Sequence, residues 1–204
     1  AIITGLAAQT PIPGRMQPLP GTNKTFLIDD TYNASPTSMM AALQMLYSVR
    51  APQRIAVLGS MNELGGFSRE AHQQVGNFCD PAQLDHLVTI GHDAEAFLAP
   101  AAKERGCQVK SFKSPYEAGK FVKSLVRPGA VVLVKGSQNG VFAEEAVKQL
   151  LAEEADAGKL VRQSAHWLEL KKQQFSDPQD LVDQPTEFMR QKAQKPPTTL
   201  PPQS

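Results

Sequence analysis

The feature that most constrains the fold of this chain is an alternation. Short runs of β-branched and apolar residues recur at "FLIDD" (26–30), "RIAVLGS" (54–60), "HLVTIG" (86–91), "CQVKSF" (107–112) and "AVVLVKGS" (130–137). Between them lie stretches with helical periodicity, at 36–49, 68–79, 93–105, 115–126 and 140–155. Strand and helix in strict alternation predict βαβ units, which close into a mostly parallel sheet covered on both faces. The runs are apolar throughout rather than at every second residue, as a doubly covered sheet requires. Helix starts are legible too. Ser35 precedes Pro36, and Ser114 precedes Pro115 with Glu117 behind it, placing a capping hydroxyl before a proline in the first turn. Gly106, after "AAKER", suits the left-handed residue that ends a helix.

The expected architecture is thus an α/β, three-layer, Rossmann-like domain of five or six strands, with a disordered C-terminal tail. Residues 176–204 hold six of the 16 prolines and few large apolar side chains, a composition that cannot support a core. Before it, 159–175 carries the only tryptophan, Trp167, and is expected to be a helical extension packed on the domain. A net charge of +1 gives no push toward nucleic acid or an anionic membrane. No apolar run reaches the length of a membrane span. Cys79 and Cys107 lack metal or redox spacing and are expected to be reduced core thiols. His86, His92 and His166 make no metal-ligand pattern with them.

In open parallel sheets, ligands bind beyond the carboxyl ends of the strands. Polar residues gather there: "DDTYN" after the first strand, "SMNELGG" after the second and "KGSQNG" after the last. One tempting motif points elsewhere. "GTNKT" (21–25) has the look of a phosphate loop, but Lys24 lacks the preceding glycine and the segment enters a strand rather than a helix. A β-turn is the simpler expectation.

Four blocks in order, "PIPGRM", "IDDTYNASPTSMMAAL", "VLGSMNELGGFSREAH" and "VLVKGSQN" with a following "EEAV", resemble the C-terminal domain of the Mur ligases over roughly residues 1–152. The resemblance implies a cytoplasmic ATP-dependent enzyme of peptidoglycan precursor synthesis. In this family an acyl phosphate is attacked by an incoming amine. The tyrosine in "DDTYNA" favours the branch that adds D-alanyl-D-alanine to a UDP-N-acetylmuramoyl-tripeptide. On this reading, residues 1–13 end a central ATPase domain, 14–158 form the C-terminal domain, and the phosphate loop and Mg²⁺ ligands lie upstream. No catalytic residue and no metal site is then expected in this stretch, which alone should not turn over.

The resemblance also implies site residues. Arg15 matches an arginine at the inter-domain hinge that reaches ATP phosphates, a task suited to a planar guanidinium. Asp30 matches an aspartate that accepts from the nucleotide ribose; Asp29 is the weaker candidate, and either could merely cap the turn. The two should point to opposite faces of the strand, which argues against a shared metal. Tyr32 and Asn33 match positions near the adenine, although Asn33 could equally form an Asx-turn. Glu63 remains in a loop that shapes the acceptor pocket, but Ser60 stands where relatives carry an acid, and Ser35 where they often carry Asn. Ser137, Gln138 and Asn139 are expected at a helix N-terminus, binding the acceptor carboxylate or simply capping. Gln138 stands where relatives often have Arg. Lys135 either anchors this loop or meets the substrate. His72 is expected to be structural rather than catalytic. Two other readings stay open: a sister amide ligase of folylpolyglutamate or cyanophycin type, and a non-catalytic small-molecule-binding module.

Overall fold

The computed structural model of the chain describes residues 12–175. The expected disorder of 176–204, and residues 1–11 of the expected linker, lie outside the described residues.

Six strands form one sheet in the order β1-β2-β6-β3-β4-β5. They are β1 Gln17–Pro20, β2 Phe26–Asp30, β3 Arg54–Gly59, β4 His86–Ile90, β5 Val109–Phe112 and β6 Val131–Lys135. β2 to β6 are mutually parallel, and β1 runs antiparallel along the edge of β2. β1 was not anticipated, because "QPLP" carries two prolines. An edge strand tolerates them, since the missing N–H groups face away from the ladder. The "GTNKT" segment is the short 3₁₀ turn Thr22–Lys24 joining β1 to β2. It sits at the opposite end of β2 from the polar residues that follow Asp30.

Six helices follow: α1 Pro36–Ser48, α2 Ser68–Phe78, α3 Ala99–Glu104 with a π-turn at Ala94–Leu98 before it, α4 Pro115–Leu125, α5 Glu144–Leu150 and α6 Ala165–Phe175. Ser35 caps α1 as expected, in a reciprocal capping box with Ser38. The helix expected over 140–155 is shorter at both ends. Asn139, Gly140 and Phe142 adopt left-handed φ values, which delay its start. At the other end Leu151 turns extended and bridges to Gly21.

Alternate strand residues serve two cores. Ile28, Ala56, Leu58, Leu87 and Leu133 pack under α1 and α2. Leu27, Ile55, Val57, Val88, Val132 and Val134 pack under α4 and α5. Both clusters are buried, so the continuous apolar runs are explained by two covered faces. The chain leaves β3 and β6 toward opposite faces, with α2 on one and α5 on the other. Open sheets take their ligands at such a switch point, and the loops after β2, β3 and β6 meet at that end of the sheet. No helix among the described residues is long and apolar enough to cross a membrane.

Candidate functional site

Asp29 and Asp30 end β2 and face opposite sides of the sheet, as strand geometry dictates. Asp30 lies in register with Lys135 at the end of β6. The Lys135 ammonium donates to Asp30 Oδ2 at 2.6 Å and to the Asn33 carbonyl at 2.9 Å. Lys135 is 2% exposed, so its charge is committed to this pair rather than presented to solvent. Asp30 Oδ1 accepts from the Met16 amide at 3.1 Å. A carboxylate has about four acceptor positions, so Asp30, partly open to solvent, retains capacity for another donor.

Asp29 is fully buried on the other side. Its Oδ1 accepts from the Thr31 hydroxyl at 2.6 Å and the Thr31 amide at 3.1 Å, while Oδ2 has no partner. Burial pushes its carboxyl up to about 6, with the nearby Glu144 and Asp30 charges adding to the shift and the Thr31 bonds opposing it. Two carboxylates so divided do not make a joint metal site. Among the described residues no group of three or more His, Cys, Asp or Glu side chains is placed to hold a metal ion.

Arg15 and Tyr32 come together at the open rim. Both are exposed, and the guanidinium carbon lies 4.2 Å from the centre of the Tyr32 ring. The turn that carries Arg15 packs tightly: the Tyr32 amide donates to the Gly14 carbonyl at 2.9 Å. Gly14 has φ +66°, and a Cβ there would meet Val161 Cγ1 at 2.9 Å and the Tyr32 nitrogen at 3.0 Å. Only glycine suits that approach. Asn33 is exposed beside them.

The loop after β6 does not open a helix directly, because α5 starts only at Glu144. The expectation that Ser137, Gln138 and Asn139 sit at a helix N-terminus is therefore corrected, for the left-handed turns at 139–142 intervene. Ser137 is buried; its hydroxyl accepts from the Asn62 amide at 2.9 Å. Gln138 and Asn139 are half-buried. Their carbonyls accept from Asn62 Nδ2 at 2.6 and 2.7 Å. Asn62 thus joins the loops after β3 and β6. It lies within the "SMNELGG" motif, yet nothing in that motif marks it as the joint.

Ser60 and His72 have structural partners. The Ser60 hydroxyl accepts from the Ala94 amide at 3.0 Å, which explains how a serine fills a position expected to be acidic. His72 Nε2 accepts from the Met61 amide at 2.9 Å, and Nδ1 lies 2.7 Å from the Ser68 carbonyl. This pairing fixes a neutral ring with the proton on Nδ1. Burial accordingly pushes its pKa down. Glu63, one residue beyond Asn62, is exposed in a left-handed conformation at the far rim of the loop.

A second charged cluster lies under the Asp29 face, where no sequence signal marked one. Glu144 and Glu145 open α5 and are essentially fully buried. Arg162 makes a two-pronged pair with Glu144, Nε to Oε1 at 2.9 Å and Nη2 to Oε2 at 2.7 Å. Lys171, also fully buried, sits 2.8 Å from Glu144 Oε1 and 2.6 Å from Glu145 Oε1. The cluster balances two anions against two cations, as buried charge requires. Trp167 of α6 packs edge-on against Phe142, centroids 6.1 Å apart.

Comparison with known proteins assigns the chain to a family. Residues 14–138 match the family described as Mur ligase, glutamate ligase domain. The chain is 35% identical over 150 residues to the UDP-N-acetylmuramoyl-tripeptide–D-alanyl-D-alanine ligase of Synechocystis, covering 74% of this chain and 32% of that protein. It is 33% identical over 152 residues to the enzyme of the same name from Escherichia coli, again covering 74% and 32%. Among solved structures it resembles MurF from Acinetobacter baumannii, with TM-score 0.62 and 30% identity over 76% of this chain and 33% of that one. It also resembles a MurF ligase from Thermotoga maritima in complex with ADP, with TM-score 0.60 and 27% identity over 72% of this chain and 32% of that one. The chain therefore spans about a third of the length of the relatives it matches.

Proposed function

The chain belongs to the Mur ligase family, as its C-terminal domain, and from that premise we propose that it closes ATP and the acceptor into the active site of a ligase that adds D-alanyl-D-alanine to UDP-N-acetylmuramoyl-tripeptide. The observation that carries this reading is the convergence of Arg15, Tyr32, Asp30 and the 137–139 loop around the ends of β2 and β6.

The roles follow from the chemistry. Arg15 and Tyr32 form a cationic and aromatic rim, the one suited to phosphate oxygens and the other to a base. Asp30, oriented by Lys135, has the spare acceptor capacity that a ribose diol needs. Asn33 stands where a base edge would lie. Lys135 acts from beneath by fixing Asp30 and the 33 carbonyl, and Ser137 acts by fixing the loop after β3. Gln138 and Asn139, with Glu63 across the site, face the acceptor. Gln138 brings no charge, so the dipeptide carboxylate is met by neutral donors. All of these contributions are positional and electrostatic. Phosphate-loop and Mg²⁺ functions belong to the central domain of such a ligase, and the 204 residues alone are expected to release no phosphate.

A domain exchange tests the proposal. The matching third of the Escherichia coli relative is replaced by this chain, and phosphate release from ATP is followed with UDP-N-acetylmuramoyl-tripeptide and either D-alanyl-D-alanine or glutamate. Release that depends on D-alanyl-D-alanine and falls at least about tenfold in Asp30→Ala is expected. Release with glutamate alone would assign a sister amide ligase instead. A folded exchange enzyme that is inert with both would leave a binding module.

A further inference from the structure

We propose that the C-terminal segment 160–175 is a built-in brace for the nucleotide edge, with Arg162 as a positioning residue that holds the 31–33 turn in place. This deepens the function proposed above and rests on it for the identity of the ligand. The family match ends at residue 138, so every residue of the brace lies beyond it.

Arg162 does more than neutralise Glu144. Its Nη2 donates to the Thr31 carbonyl at 2.6 Å, and its Nη1 to the Tyr32 carbonyl at 3.4 Å. One guanidinium therefore grips both a buried carboxylate and the backbone that carries Tyr32 and Asn33. Only a planar fork with several fixed donors reaches both at once. Lys171 in turn donates to the Arg162 carbonyl at 2.8 Å, besides its two carboxylates. All three ammonium protons are thereby used, and the backbone of Arg162 is pinned. That backbone is in the left-handed region, at φ +54°, a conformation an arginine keeps only where its surroundings impose it. Val161, the residue before Arg162, packs against Gly14. From the far end of α6, Gln174 Nε2 donates to the Gly140 carbonyl at 2.6 Å. The segment thus grips the Gly14 turn and the 31–33 turn, which form the nucleotide side of the site, and the loop after β6 on the acceptor side.

Packing alone would need none of this. The tryptophan and Phe175 already seat α6 on Phe142. A buried four-charge cluster stabilises less than an apolar equivalent would, whereas directed bonds to the carbonyls of 31 and 32 fix a geometry that apolar contacts cannot.

The test uses the whole 204-residue chain and the variants Arg162→Lys, Gln174→Ala and Gln173→Ala. Lysine keeps a cation against Glu144 but loses the fork. Amide hydrogen exchange and ADP titration are measured on each. The expected result for Arg162→Lys is a cooperative melt, exchange at Thr31 and Tyr32 faster by at least about tenfold with β3 and β4 unchanged, and ADP affinity weakened roughly tenfold, the loss expected for charge-assisted bonds. Gln173, whose side chain donates to Glu169 on the exposed side of α6, should change nothing. Unchanged exchange at the turn overturns the proposal, and so does faster exchange with unaltered ADP affinity. If Arg162→Lys fails to fold, Gln174→Ala decides: faster exchange confined to 139–142 supports the brace, and unchanged exchange there overturns it. If the unaltered chain alone binds no ADP, the affinity is read on the domain-exchange enzyme, whose central domain supplies the phosphate loop, and absence of ADP binding there ends the nucleotide reading. The brace is then judged by the exchange of Thr31 and Tyr32 alone.

Discussion

The turn after β2 and the loop after β3 flank the same site, yet they are held in different ways. The 31–33 turn rests on a buried ion cluster, a glycine that no other residue could replace, and a lysine with no solvent exposure to speak of. The 61–67 loop is pinned at its root, where His72 takes the Met61 amide and Asn62 ties to the neighbouring loop, and by Leu64, which packs half-buried on the core. Its tip is free: a Cβ at Gly65 or Gly66 would meet nothing within 4 Å, and Phe67 is 78% exposed. The contrast follows the proposed division of labour. A nucleotide is the same in every cycle and gains from a preorganised edge. An acceptor must enter and leave as product, and a loop with few contacts adapts at low cost.

The largest test of this contrast is to break the brace. Lys171→Met removes one cation and leaves Glu145 facing Gln163, the Tyr116 hydroxyl and a distant Lys148. An uncompensated buried carboxylate typically costs about 3–5 kcal/mol. Urea unfolding should show a loss of that order. If instead stability is unchanged or rises, the cluster is no keystone, and the two regions differ less than their contacts suggest.

Acidity separates the same regions with opposite signs. Asp29 titrates at about 6 in the folded chain against 3.8 ordinarily. Its protonated form is favoured by folding, so its contribution is fully present below about pH 3.8 and is lost as pH rises through about 6. The loss amounts to at most about 3 kcal/mol. Asp29→Asn should remove that slope, tested by comparing unfolding free energies at several pH values across this window. His72 behaves conversely. Its pKa is depressed by burial, so its contribution is present above the ordinary histidine value and falls as pH drops toward the folded value. His72→Gln should flatten the dependence below about pH 6.5, the ordinary histidine value, and cost about 1–3 kcal/mol at neutral pH if the Met61 amide loses its acceptor. Persistence of the acid slope in that variant would remove His72 from the account.

What could be read from the sequence follows the same division. The five parallel strands and the extents of α1, α2 and α4 were legible because apolar period and a proline in the first turn are local signals; of the two expected capping hydroxyls, Ser35 caps α1, whereas Ser114 makes no side-chain bond to the start of α4. Arg15, Asp30 and Tyr32 were legible through contiguous motifs that converge where parallel strands end. The partners that orient them were not. Arg162 lies 131 positions from Thr31, and "LVRQ" contains nothing that distinguishes a brace from a surface arginine. The edge strand β1 was hidden by its prolines. The late start of α5 was hidden because Asn139 and Phe142 take left-handed conformations that their residue types do not demand. Ser60 was visible as a departure, but its role as an acceptor for the Ala94 amide depends on the π-turn at the start of that helix.

The smallest expected effect belongs to the free tip. Gly66 is exposed, its φ is not in the left-handed region, and a methyl group would meet open space. Gly66→Ala should therefore leave the folded state unstrained while restricting the unfolded chain, a gain of about 0.4–1 kcal/mol where the conformation is compatible. Gly14→Ala places the same methyl against Val161 and the Tyr32 nitrogen and should destabilise instead. The pair measures the contrast in one substitution type, because the change in the unfolded chain is common to both. If Gly66→Ala proves as damaging as Gly14→Ala, the tip is held by contacts equal to those of the braced turn, and the proposed difference between a fixed nucleotide edge and an adaptable acceptor edge falls.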